Sequence, residues 1–159
     1  MIRNFEWNDR DQVSTLIGRA YGRSYEPWLA QALRENGDVA AEFVMEEDGV
    51  VTGCICFAAH PEPVGWWSLC TIAVAVALQD NGRGSALVRH GLDVARRQGV
   101  PAISVLGPLG YYRRFGFTRA AARNLSTPFS EENTLLYPIQ PEMAERAGDL
   151  RYPQAFSRL

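Results

Sequence analysis

A glycine-rich turn is the segment of this sequence whose residue types point most directly to chemistry. It reads Gln79-Asp80-Asn81-Gly82-Arg83-Gly84-Ser85 and lies between an apolar run and a helical pattern. Several backbone N–H groups can therefore converge at a helix N-terminus, where partial positive charge favours phosphate oxygens. Gly82 and Gly84 allow a ligand to approach the backbone closely, and Ser85 adds a hydroxyl donor. The turn predicts a site for a diphosphate.

Two familiar phosphate-binding loops do not fit this turn. It lacks the Gly-Lys-Ser/Thr of a Walker loop, and Leu87 stands where the dinucleotide fingerprint has its third glycine. A regulatory protein that uses the turn for ATP is therefore a weak alternative, since no magnesium-binding constellation is evident either. Taken alone, the turn is also compatible with a plain strand-to-helix connection.

A second motif, Tyr111-Tyr112-Arg113-Arg114-Phe115-Gly116-Phe117, follows the next predicted strand. With both motifs, the chain resembles the GNAT superfamily of acetyl-CoA-dependent N-acetyltransferases. The family's pyrophosphate motif, Gln/Arg-x-x-Gly-x-Gly/Ala, is matched by Gln79, Gly82 and Gly84. Its later motif, aromatic-Tyr-x-Lys-x-Gly-Phe, is matched by Tyr111, Tyr112, Arg114, Gly116 and Phe117, with Arg in place of Lys.

The resemblance is closer still to a bacterial subgroup of predicted acetyltransferases, the YhbS-like proteins. It extends over nearly the whole chain and includes residues 72–74, 105–107 and 151–156. That subgroup often has Pro, Ile and Asp where this chain has Val76, Arg83 and Pro108. These differences concern details of the cofactor site.

The resemblance implies acetyl-CoA as cosubstrate, no metal, and direct transfer of the acetyl group to an amine. The diphosphate would meet the amides of residues 79–85, and Gly107 would belong to the same site. Arg83 and Arg114 would contact CoA phosphates, or serve as ordinary surface arginines. The pantetheine arm would pair with strand backbone, as an added strand does. The backbone groups implied are those of Ile72, Ala73 and Val74.

Catalytic roles follow from the same resemblance. Tyr112 would protonate the departing thiolate, because a tyrosine hydroxyl remains protonated at neutral pH; the alternative role for its ring is cofactor packing. The backbone N–H of Val74 would hold the oxyanion. No general base is assigned, although Glu26, Glu62 and His60 lie in segments that could border the acceptor.

Apolar spacing and turn residues predict the elements that must position these motifs. Strands are predicted over residues 3–7, 40–46, 50–58, 66–76, 102–106, 117–121 and 135–139. Helices are predicted through Val13, Leu16, Ile17 and Ala20, over residues 27–36, from Ser85 to a stop at Gly99, and over residues 111–115. The tail from Pro141 is rich in proline and charge, and we expect it to pack loosely over the sheet.

The order of these elements indicates the fold class. Residues 66–106 read as a strand, glycine turn, helix and strand, a unit in which the two strands run parallel. N-terminal to this unit, Asp48-Gly49 predicts a tight turn and an antiparallel hairpin of the strands over residues 40–46 and 50–58. We therefore predict one α+β domain over residues 1–159, with a mixed, mostly antiparallel central sheet and helices on both faces. The GNAT resemblance implies that the sheet splays at the cofactor site.

Composition limits the partners of the protein. The chain has 159 residues, 47% of them hydrophobic, and a formal net charge of -2, so it predicts no broad electrostatic surface for nucleic acid or an anionic membrane. Its charged N-terminal residues do not resemble a signal peptide, and the apolar run over residues 66–78 is too short to span a bilayer. We expect a cytoplasmic protein.

Cysteines and tryptophans suggest other sites. Cys54 and Cys56 share one face of a strand, but no zinc spacing appears, so we predict small buried residues and no metal. The same reading applies to Cys70, which has no evident histidine partner for covalent catalysis. Trp66 and Trp67 either line an acceptor pocket or fill the core.

The predicted function is acetyl transfer to an amine acceptor, either a small molecule or a peptide. The main alternative is a non-catalytic acyl-CoA-binding sensor or interaction module. Because the family often forms dimers, a homodimer is a further expectation.

Overall fold

The computed structural model describes residues 1–158; Leu159, the last residue of the predicted domain, lies outside the described residues. Its strands are β1 (Ile2–Asn4), β2 (Val39–Glu47), β3 (Val50–Ala59), β4 (Trp67–Val74), β5 (Ile103–Leu106), β6 (Leu125–Ser126), β7 (Thr134–Tyr137) and β8 (Gly148–Asp149). Its α-helices are α1 (Arg10–Tyr21), α2 (Tyr25–Glu35), α3 (Arg83–Arg97), α4 (Leu109–Tyr112) and α5 (Arg119–Ala122). Short 3₁₀ turns occupy Trp7–Asp9, Val76–Leu78, Arg113–Phe115, Pro141–Met143 and Gln154–Arg158.

A six-stranded sheet in the order β1-β2-β3-β4-β5-β7 organises the fold. Within it only β4 and β5 pair in parallel, while the other neighbours are antiparallel. The predicted mixed, mostly antiparallel sheet is therefore confirmed. The β2–β3 hairpin turns at Asp48 and Gly49, both of which have the positive φ that an Asp-Gly tight turn requires.

Strands β4 and β5 separate after a short contact. Their register runs only from Trp67↔Ile103 to Leu69↔Val105, so the remainder of β4, down to Val74, has no strand partner on that side. Helix α3 leaves the end of β4 and returns the chain to β5, as the strand, turn, helix, strand pattern predicts. The splay creates a gap beside the C-terminal half of β4.

Helices cover both faces of the sheet. On one face Leu87, Val88 and Leu92 of α3 pack against the sheet. Gly91 permits this close approach, because a Cβ there would lie 2.3 Å from Phe57 Cε2. On the other face Val13 and Ile17 of α1 pack with strand residues. Among the described residues, no helix has the length and apolarity needed to cross a membrane.

Several predicted elements were wrong in extent or type. The strand predicted over residues 135–139 ends at Tyr137, and the helix predicted over residues 111–115 is α4 followed by a 3₁₀ turn. The strand predicted over residues 117–121 is a single bridge from Thr118 to Leu136 followed by α5. Thr118 begins that helix because its Oγ1 accepts a hydrogen bond from the Ala121 N–H at 3.1 Å, a local cap that overrides strand propensity. The first strand ends at Asn4 rather than at residue 7, and β4 ends at Val74, before the 3₁₀ turn Val76–Leu78.

The tail from Pro141 is integrated into the core, so the prediction of loose packing was wrong. Met143, Leu150 and Phe156 are buried. The Tyr152 ring lies 4.7 Å from the His60 ring and 5.0 Å from that of Phe156, between ring centroids. These apolar side chains are irregularly spaced among prolines and charged residues, so the segment shows no helix or strand periodicity from which their burial could be predicted.

Candidate active site

A cavity of about 620 Å³ lies where the gap beside β4 meets the start of α3. It brings together the end of α1, the open edge of β4, the glycine turn and the start of α4. Its lining residues are Ala20, Tyr21, Ile72, Ala73, Val74, Leu78, Gln79, Asp80, Gly82, Arg83, Gly84, Ser85, Tyr111 and Arg114. Most of the residues predicted for cofactor binding thus surround one cavity; Asn81, Gly107 and Tyr112 are outside its lining.

The glycine turn presents free backbone donors to this cavity. Gly82 adopts a left-handed conformation, with φ 89°, and α3 begins at the next residue without a side-chain cap. The first ladder bond of the helix runs from the Ala86 N–H to the Gly82 carbonyl at 3.0 Å. The N–H groups of Arg83, Gly84 and Ser85 therefore have no partner in the helix ladder. Together with the helix dipole, they suit an anion.

Tyr111 extends over the same turn. A Cβ built on Gly84 would lie 3.1 Å from the Tyr111 hydroxyl oxygen, so the hydroxyl stands directly at the start of α3. The Arg114 guanidinium stacks on the Tyr111 ring, 4.5 Å from its centroid, and Arg114 Nε donates to the Tyr111 carbonyl at 3.2 Å. Both side chains are thereby held at the cavity wall.

The backbone groups of β4 alternate between the gap and the sheet. The Ile72 N–H donates to the Tyr21 hydroxyl at 3.3 Å, and the Val74 carbonyl accepts from Gln79 Nε2 at 3.1 Å. Because alternate residues of a strand direct their N–H and C=O groups to the same side, the Val74 N–H also points into the gap. The backbone of Ala73 faces β3, and its carbonyl lies 3.4 Å from a Cβ built on Gly53. Ile72 and Val74 are thus the residues whose backbone is open to a ligand.

Arg83 is already engaged within the protein. Its Nε and Nη2 donate to the carboxylate of Glu47 at 2.9 and 2.8 Å. Arg83 and the Thr52 hydroxyl, which donates to the same carboxylate, lower the pKa of Glu47 to about 2. Glu47 therefore remains ionised near neutral pH and ties the β2–β3 hairpin to the start of α3.

Tyr112 lies just behind the cavity wall. Its side chain is buried, and its ring lies 5.0 Å from the Tyr111 ring and 5.8 Å from the Phe117 ring, between centroids. Burial raises the pKa of its phenol above the ordinary value, so the hydroxyl stays protonated. Within residues 1–158 no group hydrogen-bonds to this hydroxyl, which leaves its proton available.

The general-base candidates lie outside the cavity lining. The His60 Nδ1–H donates to the Arg151 carbonyl at 2.7 Å, and Nε2 accepts from the Ser104 hydroxyl at 2.6 Å, so both ring nitrogens are used. Burial lowers the pKa of His60 to about 4. Glu62 pairs with Arg151 at 3.3 Å, and the buried Glu26 pairs with Arg23.

Trp66, Trp67, Cys54 and Cys56 belong to the core, and Cys70 is half-buried beside it. Trp66 is 2% exposed and Trp67 is 7% exposed, so both fill the interior rather than line a pocket. Cys54 is buried, which raises the pKa of its thiol to about 12. Cys70 Sγ donates to the Cys56 carbonyl at 3.2 Å. In the described part of the chain no cluster of His, Cys, Asp and Glu could hold a metal ion.

Sequence reasoning missed two aromatic residues of the cavity. Tyr111 belongs to the second motif, and its place beside Tyr112 in that motif was the available signal. Tyr21 ends a helix 51 residues before Ile72, its hydrogen-bond partner, and nothing local marks it. Only the packing of α1 on the sheet brings them together.

Comparison with known proteins agrees with this geometry. The model of the acetyltransferase (GNAT) family matches residues 4–117. The uncharacterized N-acetyltransferase YhbS of Escherichia coli (strain K12) is 31% identical over 121 residues, which cover 74% of this chain and 72% of that relative.

Two solved structures share the fold over almost the full length. The YhbS structure from Escherichia coli in complex with CoA has a TM-score of 0.93 at 27% identity, covering 100% of this chain and 92% of that one. A GNAT family acetyltransferase from Brucella melitensis in complex with acetyl-CoA has a TM-score of 0.82 at 30% identity, covering 98% and 97%. The chain therefore belongs to the GNAT acetyltransferase family and is of the YhbS type.

Proposed function

We propose that this protein transfers an acetyl group directly from acetyl-CoA to an amine acceptor. The observation that carries the proposal is the continuity of two binding surfaces in one cavity. The open edge of β4, with the Ile72 and Val74 N–H groups facing the gap, leads directly to the free N–H groups at the start of α3. An elongated ligand with amides at one end and a diphosphate at the other fits that order.

The fit to acetyl-CoA can be assigned residue by residue. The N–H groups of Arg83, Gly84 and Ser85 would hold the diphosphate, with the Tyr111 hydroxyl as a further donor. Ile72 would pair with the pantetheine arm in the manner of an added strand. The YhbS structure with CoA and the Brucella melitensis structure with acetyl-CoA support acetyl-CoA as the ligand of this cavity. The bound cosubstrate supplies the activated acetyl thioester.

The protein's own groups then serve the transfer. The Val74 N–H, at the C-terminal end of β4, would donate to the developing oxyanion. The Tyr112 hydroxyl, kept neutral by burial, would donate its proton to the departing thiolate. Glu26 and Glu62 are paired with arginines, and both ring nitrogens of His60 are hydrogen-bonded. We therefore assign no protein base, and solvent would take the proton of the amine.

Binding is the first test. Isothermal titration of the purified protein with acetyl-CoA, with ATP and NAD as controls, should show selective binding of acetyl-CoA. Gly84→Asp should abolish that binding, because it adds an anion among the phosphate donors, while circular dichroism remains native. Gln98→Glu adds the same charge at the exposed opposite end of α3 and should bind normally. If the folded wild-type protein does not bind acetyl-CoA, the proposal is wrong.

Turnover separates the enzyme from an acyl-CoA sensor. Thiol release should be followed with small amines, amino acids, peptide N-termini and lysine peptides as acceptors. Amine-dependent thiol release indicates the transferase, whereas acetyl-CoA binding without thiol release in the presence of any acceptor indicates the sensor.

We further propose that residues 1–159 act as one catalytic domain, since the core clusters pack on one sheet. A cytoplasmic location and a homodimer stay predictions.

A further inference from the structure

Tyr21 occupies a position in the cavity that the transfer chemistry above does not use. It is the last residue of α1, and Gly22, with φ 70° and its N–H bonded to the Gly18 carbonyl at 2.9 Å, ends the helix there. The side chain lines the cavity, and its hydroxyl oxygen accepts the Ile72 N–H at 3.3 Å. The helix end thus holds a phenol against the open edge of β4.

The hydrogen bond to Tyr21 uses the Ile72 N–H, which is a donor that a strand-like ligand needs. The N–H groups of Ile72 and Val74 face the gap, and Ile72 is the one farther from the start of α3 on β4. A ligand amide that pairs with β4 must bring its carbonyl oxygen to the Ile72 N–H. That place is taken by the Tyr21 oxygen, so the two acceptors compete for one donor.

The hydrogen bond between the Ile72 N–H and the Tyr21 hydroxyl is weak enough for a ligand to displace it. At 3.3 Å between nitrogen and oxygen it is longer than the usual 2.9 to 3.0 Å of such bonds. It nevertheless satisfies an N–H that has no strand partner. Desolvation of the hydroxyl beside β4 raises the pKa of Tyr21 to about 12, so the hydroxyl stays neutral and does not become a tightly bound phenolate.

We propose that the Tyr21 hydroxyl is a placeholder for a pantetheine carbonyl, occupying the Ile72 N–H in the free protein and yielding it when acetyl-CoA binds. The proposal rests on the proposed function, because it takes acetyl-CoA as the ligand of the gap. Tyr21 is thereby a positioning residue: its hydroxyl keeps the β4 edge satisfied between turnovers, and part of the binding energy is spent on moving it.

Removal of the hydroxyl alone tests this competition. Tyr21→Phe keeps the ring but leaves the Ile72 N–H free, so the dissociation constant for acetyl-CoA should fall by about two- to tenfold, the value of one neutral hydrogen bond. Tyr137→Phe is the matched control: its hydroxyl accepts from Arg96 Nε at 3.0 Å, and Tyr137 does not line the cavity, so affinity should not change.

Amide exchange at Ile72 supplies a readout that a merely structural role would not produce. In the free protein, NMR should show faster Ile72 exchange in Tyr21→Phe than in the wild type, because the acceptor is gone. Saturating acetyl-CoA should protect the same amide equally in both proteins.

The outcomes separate this inference from the proposed function. If the wild-type protein does not bind acetyl-CoA, both the proposed function and the placeholder role of Tyr21 are wrong. Wild-type protein that binds, with Tyr21→Phe binding equally well or more weakly, removes only the placeholder role; weaker binding would show that the hydroxyl remains in place and donates to the ligand. Unchanged Ile72 exchange in free Tyr21→Phe would also overturn the inference.

Discussion

The ring of Tyr112 packs against the backbone of Gly107 so closely that a Cβ at Gly107 would lie 2.6 Å from Tyr112 Cε2. Gly107 follows β5 and is outside the cavity lining, so its contribution to the predicted site is the space it leaves for Tyr112. The position of the proposed proton donor therefore depends on the absence of one methyl group.

Gly107→Ala should displace Tyr112 and lower kcat by roughly tenfold to a hundredfold, since small misplacements of catalytic groups have effects of that size. Steady-state kinetics and acetyl-CoA titration together check the result, with affinity changing less than turnover. Gly110→Ala is the control, because a Cβ there meets nothing within 4 Å. Equal kcat for the two variants would contradict the dependence on Gly107.

Tyr112→Phe should lower kcat by roughly 10²- to 10⁴-fold with binding nearly intact, because the thiolate loses its proton donor. The pKa of Tyr112 lies above its ordinary value, so in the wild type its ionisation should not reduce kcat as pH rises toward about 10. Thiol-release kinetics across this range measure both effects. Unchanged turnover in Tyr112→Phe would leave the residue a packing role.

Glu47→Gln should release Arg83 from its ion pair beside the predicted diphosphate site. The freed guanidinium increases the local positive charge, and acetyl-CoA affinity should rise by up to about fivefold, the scale of a partly exposed charge interaction. Titrations at low and high salt check this, because the gain should shrink with screening. Arg83→Gln should show no such gain. A fall in affinity for Glu47→Gln would mean that the ion pair itself orients the turn.

His60 should make folding stability depend on pH. Its folded-state pKa of about 4 lies below the unfolded value near 6.5, so between these values the unfolded chain binds the extra proton. Stability contributed by neutral His60 is therefore present above about pH 6.5 and is lost as pH falls toward 4. The loss between about pH 7 and pH 5 amounts to roughly 2 kcal/mol.

Urea unfolding at those two pH values measures the loss. In His60→Gln the pH dependence should be smaller by about that amount, whatever the stability of the variant at neutral pH. His90→Gln should retain most of the dependence, because His90 is only partly buried. Equal pH dependence in the wild type and His60→Gln would contradict a buried neutral His60.

Local pattern was sufficient to predict the centre of the fold. The apolar run of β4, the glycine turn and the amphipathic α3 are each readable within a few residues, and the cavity indeed lies among them. Contacts between distant segments were not predictable in this way. The Arg83 side chain was assigned to phosphates because its partner Glu47 lies 36 positions away. The hydrogen bond between Tyr21 and Ile72 was missed for the same reason.

The burial of the tail affects how the protein can be made. On the face of the sheet opposite α3, the cluster that covers Leu33 and Ala58 includes Ala155 and Phe156. Strand β5 likewise acquires its outer partner only when Thr134–Tyr137 has been synthesised. Because a ribosome delivers the chain from its N-terminus, the sheet is incomplete on one edge and one face until nearly all the described residues have emerged. A nascent chain that stalls between β5 and β7 would expose the outer edge of β5 without its partner strand, the kind of surface that chaperones and aggregates recognise.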